Sequence, residues 1–307
     1  MSPIMPSASA PIRLAVTLFA AVLTLAGCSR VGIAYNTADL LVKGYAKDYL
    51  NLEGAQLSGW DSVLDAELAR HRAEELPYLA AFFDQLLKAS RLGFDERNMT
   101  CLTGEFRSLY RRQARFAVTV TAPLLAELSP SQIERLSRRF QDEAAEDRAE
   151  LAMRNRTKER ERRARRYVSS VEDWTGPLDA EQRAIVADVT SRMPDTQSDV
   201  VEYRGRKRGQ LIGLLRANAG EARIKSFLTE WLVDFKDLPA TLDRDGEVLG
   251  ERIAELFIRL GPTLDERQRE RLDNRLRNLR DDFMRLQKQP RMAPRTCGTP
   301  TGLHAVA

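Results

Sequence analysis

The chain has 307 residues, enough to bury a hydrophobic core or to form two lobes that share one. Charged residues make up 30% of the chain, the mean hydropathy is −0.40 and the net charge is +4. This charge is too small to indicate a nucleic-acid partner, and we expect none. After the first thirty residues no apolar run approaches the length of a membrane span.

The first 27 residues are typical of a secretory signal. Arg13 is their one charge, and an apolar run at residues 14–26 follows it. This run is shorter than the roughly 20 residues that a spanning helix needs, so it predicts a cleaved signal rather than an anchor.

The run ends in Leu25-Ala26-Gly27-Cys28, which resembles the lipobox of bacterial lipoproteins. The resemblance implies cleavage before Cys28, whose thiol takes a diacylglycerol, and further acylation there, of which palmitate is typical. Two or more acyl chains hold a protein stably on a bilayer. Ser29 follows the cysteine in place of Asp, which resembles the sorting pattern for the outer membrane. We therefore expect a protein that is lipid-anchored through Cys28 on the periplasmic face of the outer membrane.

Apolar residues recur at helical spacing along nearly the whole mature chain. Examples are Leu57, Trp60, Leu64 and Leu68; Ile224, Phe227, Leu228 and Trp231; and the seam Leu272, Leu276, Leu279, Phe283 and Leu286, which predicts a helix packed lengthwise on another. No convincing strand pattern occurs. The sequence predicts an elongated all-α bundle of about nine or ten helices. We expect an N-terminal lobe at residues 28–170 ending in a long charged helix, a C-terminal lobe at 171–288, and a disordered tail at 289–307.

Four predicted helix starts share the form Leu, a residue that usually caps helices, two variable residues, then Gln. They are Leu52-Glu53-Gly54-Ala55-Gln56, Leu128-Ser129-Pro130-Ser131-Gln132, Leu178-Asp179-Ala180-Glu181-Gln182 and Leu264-Asp265-Glu266-Arg267-Gln268. Each predicts a capping box, in which the Gln side chain bonds back to the N–H of the capping residue. Two explanations stay open, convergence on good caps and common descent. The form resembles the LTxxQ motif of small periplasmic stress chaperones, although no copy has Thr in second place.

A broader resemblance rests on the order of several short motifs. The lipobox is followed by Ala34-Tyr35-Asn36, Asp48-Tyr49-Leu50-Asn51-Leu52, Gln56, His71-Arg72, Glu75-Leu76-Pro77, and later Glu172-Asp173-Trp174-Thr175-Gly176-Pro177-Leu178 and Gln182. This order resembles a family of uncharacterised proteobacterial lipoproteins with a helical domain of unknown function. The resemblance covers roughly residues 28–285 and implies no catalytic residue.

Residues 142–166 are dense in charge, acidic at first and basic later, an order that suits the helix dipole. The basic part predicts an anionic docking strip for an envelope protein or an anionic lipid. Its members are Arg154, Arg156, Lys158, Arg160, Arg162, Arg163, Arg165 and Arg166. A second anion-binding patch is predicted at Arg204, Arg206, Lys207 and Arg208. The alternative is a solvated helix face without a partner.

Little in the sequence predicts catalysis. His71 and His304 are far apart, and no common catalytic motif occurs. We expect no enzyme, cofactor or metal, and we interpret His71 as a packing or capping residue. Cys101 and Cys297 either form a disulfide or remain unpaired thiols. The predicted work of the protein is binding or scaffolding at the cell envelope. The alternatives are a chaperone-like binder of unfolded clients and a carboxylate-dependent hydrolase.

Overall fold

The computed structural model describes residues 28–287. The predicted signal (1–27) and the predicted disordered tail (289–307) lie outside this range. The helices are α1 (Cys28–Asn36), α2 (Ala38–Leu50), α3 (Gly54–Glu74), α4 (Leu76–Leu92), α5 (Glu96–Ala126), α6 (Pro130–Ala152), α7 (Arg156–Thr175), α8 (Ala180–Ser191), α9 (Gln197–Arg216), α10 (Glu221–Leu232), α11 (Ala240–Leu260) and α12 (Glu266–Leu286). A 3-10 turn, Gly261–Thr263, joins α11 to α12. The described residues contain no strand, which confirms the all-α prediction.

The number of helices agrees with the predicted nine or ten if helices separated by a single residue are counted together. Only Thr37 separates α1 from α2, and only Glu75 separates α3 from α4. If each of these pairs is treated as one interrupted helix, the described residues form ten helical segments, within the predicted number. None of the described helices is both long enough and apolar enough to cross a bilayer.

The charged segment at 142–166 forms two helices rather than one. Helix α6 ends at Ala152, and α7 begins at Arg156 after a cap at Asn155. The Asn155 side chain accepts a hydrogen bond from the Lys158 N–H at 3.0 Å. Asparagine competes for backbone hydrogen bonds and is therefore more stable at a helix start than inside a helix.

Buried apolar residues form several clusters between the helices. The largest lies among α2, α3, α5, α6, α9 and α10, with Leu64 and Ile224 fully buried in it. A second cluster joins α1, α4 and α12, where Leu276 and Phe283 of the predicted seam pack along α4. Both clusters combine residues from the two predicted lobes, and the predicted boundary at 170/171 falls inside α7. Whether the two ranges behave as separate lobes stays a prediction.

All four predicted capping boxes are present. The capping residues are Glu53, Ser129, Asp179 and Asp265, and the side-chain carbonyl of each Gln accepts its cap's N–H at 2.8–3.1 Å. The leucine that begins each motif is buried, with 4–8% of its surface exposed. In the fourth motif the capping residue is Asp265, so the cap lies at the same position of the motif as in the other three.

The four glutamines also bind each other in two reciprocal pairs. Gln56 pairs with Gln132, and their amide groups exchange hydrogen bonds of 3.1 and 2.7 Å. Gln182 pairs with Gln268 in the same way, at 2.8 and 2.9 Å. Each pair therefore joins the start of one helix to the start of another that is distant in sequence.

A second contact repeats in every motif. Each Gln Nε2 also donates to the backbone carbonyl immediately before the leucine of the partner motif, at 2.8–3.0 Å. These carbonyls belong to Glu127, Asn51, Thr263 and Pro177. A glutamine amide has two donors and an oxygen with two acceptor sites, and all four are used here. A glutamate could not replace it, because a carboxylate has no N–H to donate.

We predict that Gln182→Ala lowers the free energy of unfolding by about 2–4 kcal/mol, because Gln268 and the Thr263 carbonyl lose buried partners. Gln182 is 2% exposed, whereas Gln56 is only half-buried. The matched variant Gln56→Ala should therefore lose less, about 1–2 kcal/mol.

Urea denaturation of Gln182→Ala, Gln56→Ala, Gln268→Ala and the double variant Gln182→Ala/Gln268→Ala measures these losses. Because the two glutamines share their hydrogen bonds, the double variant should lose clearly less than the sum of its singles. Additive losses would show that the pairing contributes no coupling.

Candidate functional site

The folded body begins very close to the predicted lipidation site. Cys28 is the first residue of α1, whereas Leu25, Ala26 and Gly27 of the cleavage motif lie outside the described residues. Val31, three residues later, is 2% exposed and packs in the cluster that joins α1 to α4 and α12. Few residues are therefore left between Cys28 and the core.

A buried hydrogen-bond chain fixes the end of α1. The Tyr35 hydroxyl lies 2.6 Å from His71 Nδ1, and His71 Nε2 lies 2.7 Å from the Gln113 carbonyl oxygen. Because that oxygen only accepts, Nε2 carries the imidazole proton and Tyr35 donates to Nδ1. Phe116 packs edge-on against the imidazole, and Arg72 lies over the Tyr35 ring. His71 thus has the packing role expected from the sequence.

Burial lowers the pKa of His71, more than the hydrogen bond to Gln113 and the charge of Glu75 raise it. Burial likewise raises the pKa of Tyr35, against the opposing charge of Arg72. Both groups are therefore neutral near pH 7, and the chain from α1 to α5 is a chain of neutral hydrogen bonds.

We predict that the stability of the protein falls as the pH drops from 7.5 to 5. Below about pH 6.5 the unfolded chain binds a proton at His71 that the folded protein, with its lowered pKa, does not. This term reaches at most about 1.4 kcal/mol per pH unit. Urea denaturation of wild type and His71→Gln across this range measures it. The difference in unfolding free energy between the two should shrink as the pH falls, and a constant difference would contradict the assignment.

The prediction of a second anion-binding patch is wrong for three of its four residues. Arg204, Lys207 and Arg208 are 3–6% exposed, and only Arg206 lies at the surface. Arg204 binds Asp147 and Arg208 binds Glu143, both on α6. The sequence held a signal for this pairing, because two acids four residues apart match two arginines four residues apart on another helix.

Two further contacts lie beside these ion pairs, and one of them reaches the surface at Asp237. The Tyr49 hydroxyl donates to Glu143 at 3.2 Å, and Lys207 binds Asp237 at 3.1 Å. These charges hold α6, α9 and the connection before α11 together, so they are not available to an outside anion.

We predict that Asp147→Ala lowers the free energy of unfolding by about 3–5 kcal/mol, because it leaves Arg204 buried without its counter-charge. The control Arg206→Ala removes an exposed arginine from the same helix and should cost less than about 0.5 kcal/mol. Urea denaturation measures both. Asp147→Leu/Arg204→Met, which removes both charges, should recover most of the loss. Equal losses for Asp147→Ala and Arg206→Ala would rule out the role of the pair.

The structure divides the predicted docking strip. Arg154, Arg163 and Arg166 line an open cleft of about 260 Å³ between α7 and the connection from α8 to α9. The other strip members are exposed and do not line it, and these are Arg156, Lys158, Arg160, Arg162 and Arg165. Arg162 binds Glu159 at 2.7 Å, and Arg165 lies 3.8 Å from Glu161. Anion docking on the strip stays a prediction.

The cleft is also lined by residues outside the predicted docking strip. Asp195 and Thr196 come from the connection before α9, and Tyr167 comes from α7. Arg154 Nη1 donates to both carboxylate oxygens of Asp195, at 2.7 and 2.9 Å, and Arg163 donates to the Met193 carbonyl at 2.7 Å. No local sequence pattern predicts these contacts, because they join residues 30–41 positions apart.

The ionisation of two cleft residues follows from these contacts. Burial alone would raise the pKa of Asp195, but the hydrogen bond from Arg154 and the nearby charges hold it below its usual value. Burial raises the pKa of Tyr167, although the charges of Arg163 and Arg166 oppose this. Near pH 7 Asp195 is therefore charged and paired, and Tyr167 is a neutral hydroxyl.

The remaining predictions concern cysteine and metal chemistry. Cys101 lies on α5 and is disulfide-bonded. Cys297 lies outside the described residues, so the pairing of these two cysteines stays a prediction. Within residues 28–287, no group of three or more His, Cys, Asp or Glu side chains is arranged to hold a metal ion.

A model of a protein family matches residues 48–238, from within α2 to the connection before α11. It is described as a family of unknown function, DUF6279. The chain belongs to this family. No curated protein and no solved structure matches the chain. The match agrees with the resemblance to an uncharacterised helical domain, and the lipoprotein character that the resemblance implies is taken up below as a proposal.

Proposed function

We propose that this protein is a lipid-anchored bacterial lipoprotein whose helical body binds or scaffolds a partner at the periplasmic face of the outer membrane. The observation that carries the proposal is the closeness of the core to the predicted acylation site. Val31 is buried only three residues after Cys28. These three residues rise about 4.5 Å along a helix, a distance far smaller than the body itself.

This closeness has a mechanical consequence for an acylated protein. A long polar linker would let the body move freely above the bilayer. Here α1 is held by Val31 and by the Tyr35–His71 hydrogen bond, so acyl chains on Cys28 would be joined to a fixed element. The body would therefore lie against the membrane surface in a restricted orientation, which suits a scaffold that presents one face to a partner.

The helix after α1 carries two further residues that suit a membrane-apposed surface. Leu40 and Leu41 in the first turn of α2 are 65% and 58% exposed. They follow α1 after a break of a single residue, Thr37. Partial insertion of two leucine side chains would add to the binding energy of the acyl chains, since each buried methylene contributes about 0.8 kcal/mol.

The test is metabolic labelling with palmitate, followed by separation of soluble, inner-membrane and outer-membrane fractions. Wild type should be labelled and should sediment with the outer membrane. Cys28→Ser should lose the label and appear in soluble or uncleaved form, because no thiol remains to be acylated.

Cys101→Ser is the control for replacing a cysteine elsewhere in the chain. Because Cys101 is disulfide-bonded, circular dichroism first checks that this variant is folded. It should keep the label and the membrane location. Label that persists in Cys28→Ser, or wild type without label, would overturn the proposal.

A further inference from the structure

The residues that line the cleft beside α7 carry a net positive charge. Arg154 forms a charged pair with Asp195, so these two neutralise each other. Arg163 and Arg166 contribute two further positive charges. Arg163 donates one hydrogen bond to the Met193 carbonyl and also lies near the charge of Asp195. Among the described residues, Arg166 forms no ion pair of 4.0 Å or less. The net charge of the cleft is thus close to that of two free guanidinium groups.

The cleft also has neutral donors and a fixed geometry. Tyr167 and Thr196, which each carry a hydroxyl group, line the same space. Asp195 holds Arg154, whose side chain is 13% exposed, and Met193 holds Arg163. These anchors reduce the side-chain entropy that a bound ligand would otherwise have to remove.

The start of α9 adds to this field. This 20-residue helix begins at Gln197, which also lines the cleft, so the positive end of its dipole is directed there. The helix start is only a supplement, since the two arginines provide full charges.

We propose that this cleft is a binding site for a phosphate group, either on a phosphorylated small molecule or on a phospholipid headgroup. A phosphate carries up to two negative charges, which match the two uncompensated arginines. Guanidinium groups donate to phosphate oxygens in pairs with good geometry, and the Tyr167 hydroxyl supplies a further donor. A volume of about 260 Å³ with an open side accommodates the group while the rest of its molecule extends outward.

The proposal does not depend on acylation of Cys28, because the cleft is built from residues 154–197 and Leu249. It can therefore fail while the proposed function holds, and the reverse is also true.

The test uses the purified full chain in detergent micelles free of phosphate. Titration with inorganic phosphate should raise the melting temperature to a plateau, and calorimetry should give the affinity. Arg166→Glu should weaken binding at least about tenfold, because it places a negative charge in the cleft.

Arg165→Glu is the matched control. Arg165 is the neighbouring residue on α7, its side chain is 68% exposed and it does not line the cleft. It makes the same change in net charge, but it should alter the affinity by less than about twofold. Equal weakening by both variants would show that binding follows only the overall charge of the strip, and it would overturn the site, as would an absence of saturable binding in wild type.

A second experiment, with lipid vesicles, distinguishes a phospholipid headgroup from a phosphorylated small molecule as the natural ligand. Three proteins are floated with phosphatidylcholine vesicles with and without phosphatidic acid: the Cys28→Ser chain, and the same chain with Arg166→Glu or with Arg165→Glu. All three are produced from residue 28 onward, so that neither an acyl chain nor the apolar signal contributes to binding. Binding that needs phosphatidic acid and is lost only in Arg166→Glu assigns the site to a headgroup. Saturable binding of inorganic phosphate without this vesicle binding assigns it to a free phosphorylated molecule.

Discussion

Two pairs of glutamines connect the starts of four helices, and the arrangement of the bundle depends on them. Each amide bonds to its own capping residue, to its partner glutamine and to the chain before the partner's leucine. The helix starts of a pair are thereby fixed to each other in position and direction. Because the groups are half-buried or buried, an unpaired amide would cost free energy rather than bind water. The leucines beside them are buried too, so hydrogen bonding and apolar packing restrict the same contacts.

The pairs determine where the two candidate sites lie. The Gln182–Gln268 pair fixes the start of α8 against the start of α12. Helix α8 then leads into Met193 and Asp195, which line the cleft, while α12 runs along α4 and forms part of the surface on which Val31 packs. The same contact therefore affects the position of the cleft beside α7 and of the surface on which α1 packs. In the same way, the Gln56–Gln132 pair fixes the start of α3 against the start of α6.

Local features of this fold could be predicted from the sequence, whereas contacts between distant segments could not. A capping box depends on residues three positions apart, so all four were predicted, and so was the apolar face of α12. The pairing of the boxes joins residues 76 and 86 positions apart, and capping alone gives no reason for it. The same limit explains why the sequence predicts a surface patch at Arg204 and Arg208, which the structure buries. The four-residue spacing of Glu143 and Asp147 matches that of the two arginines, but spacing alone does not show which helices are in contact.

The family match ends at residue 238, but the folding unit extends further. Gln182 lies inside the matched range and needs Gln268 of α12 to satisfy its buried amide. Leu178 and Val186, also inside it, pack on Leu256 and Leu260 of α11. Ending the chain at 238 would expose these apolar side chains and leave buried polar groups without partners, each at a cost of about 1–3 kcal/mol. Since a typical domain is stable by only about 5–15 kcal/mol, the matched helices depend on α11 and α12 for part of their packing and hydrogen bonding.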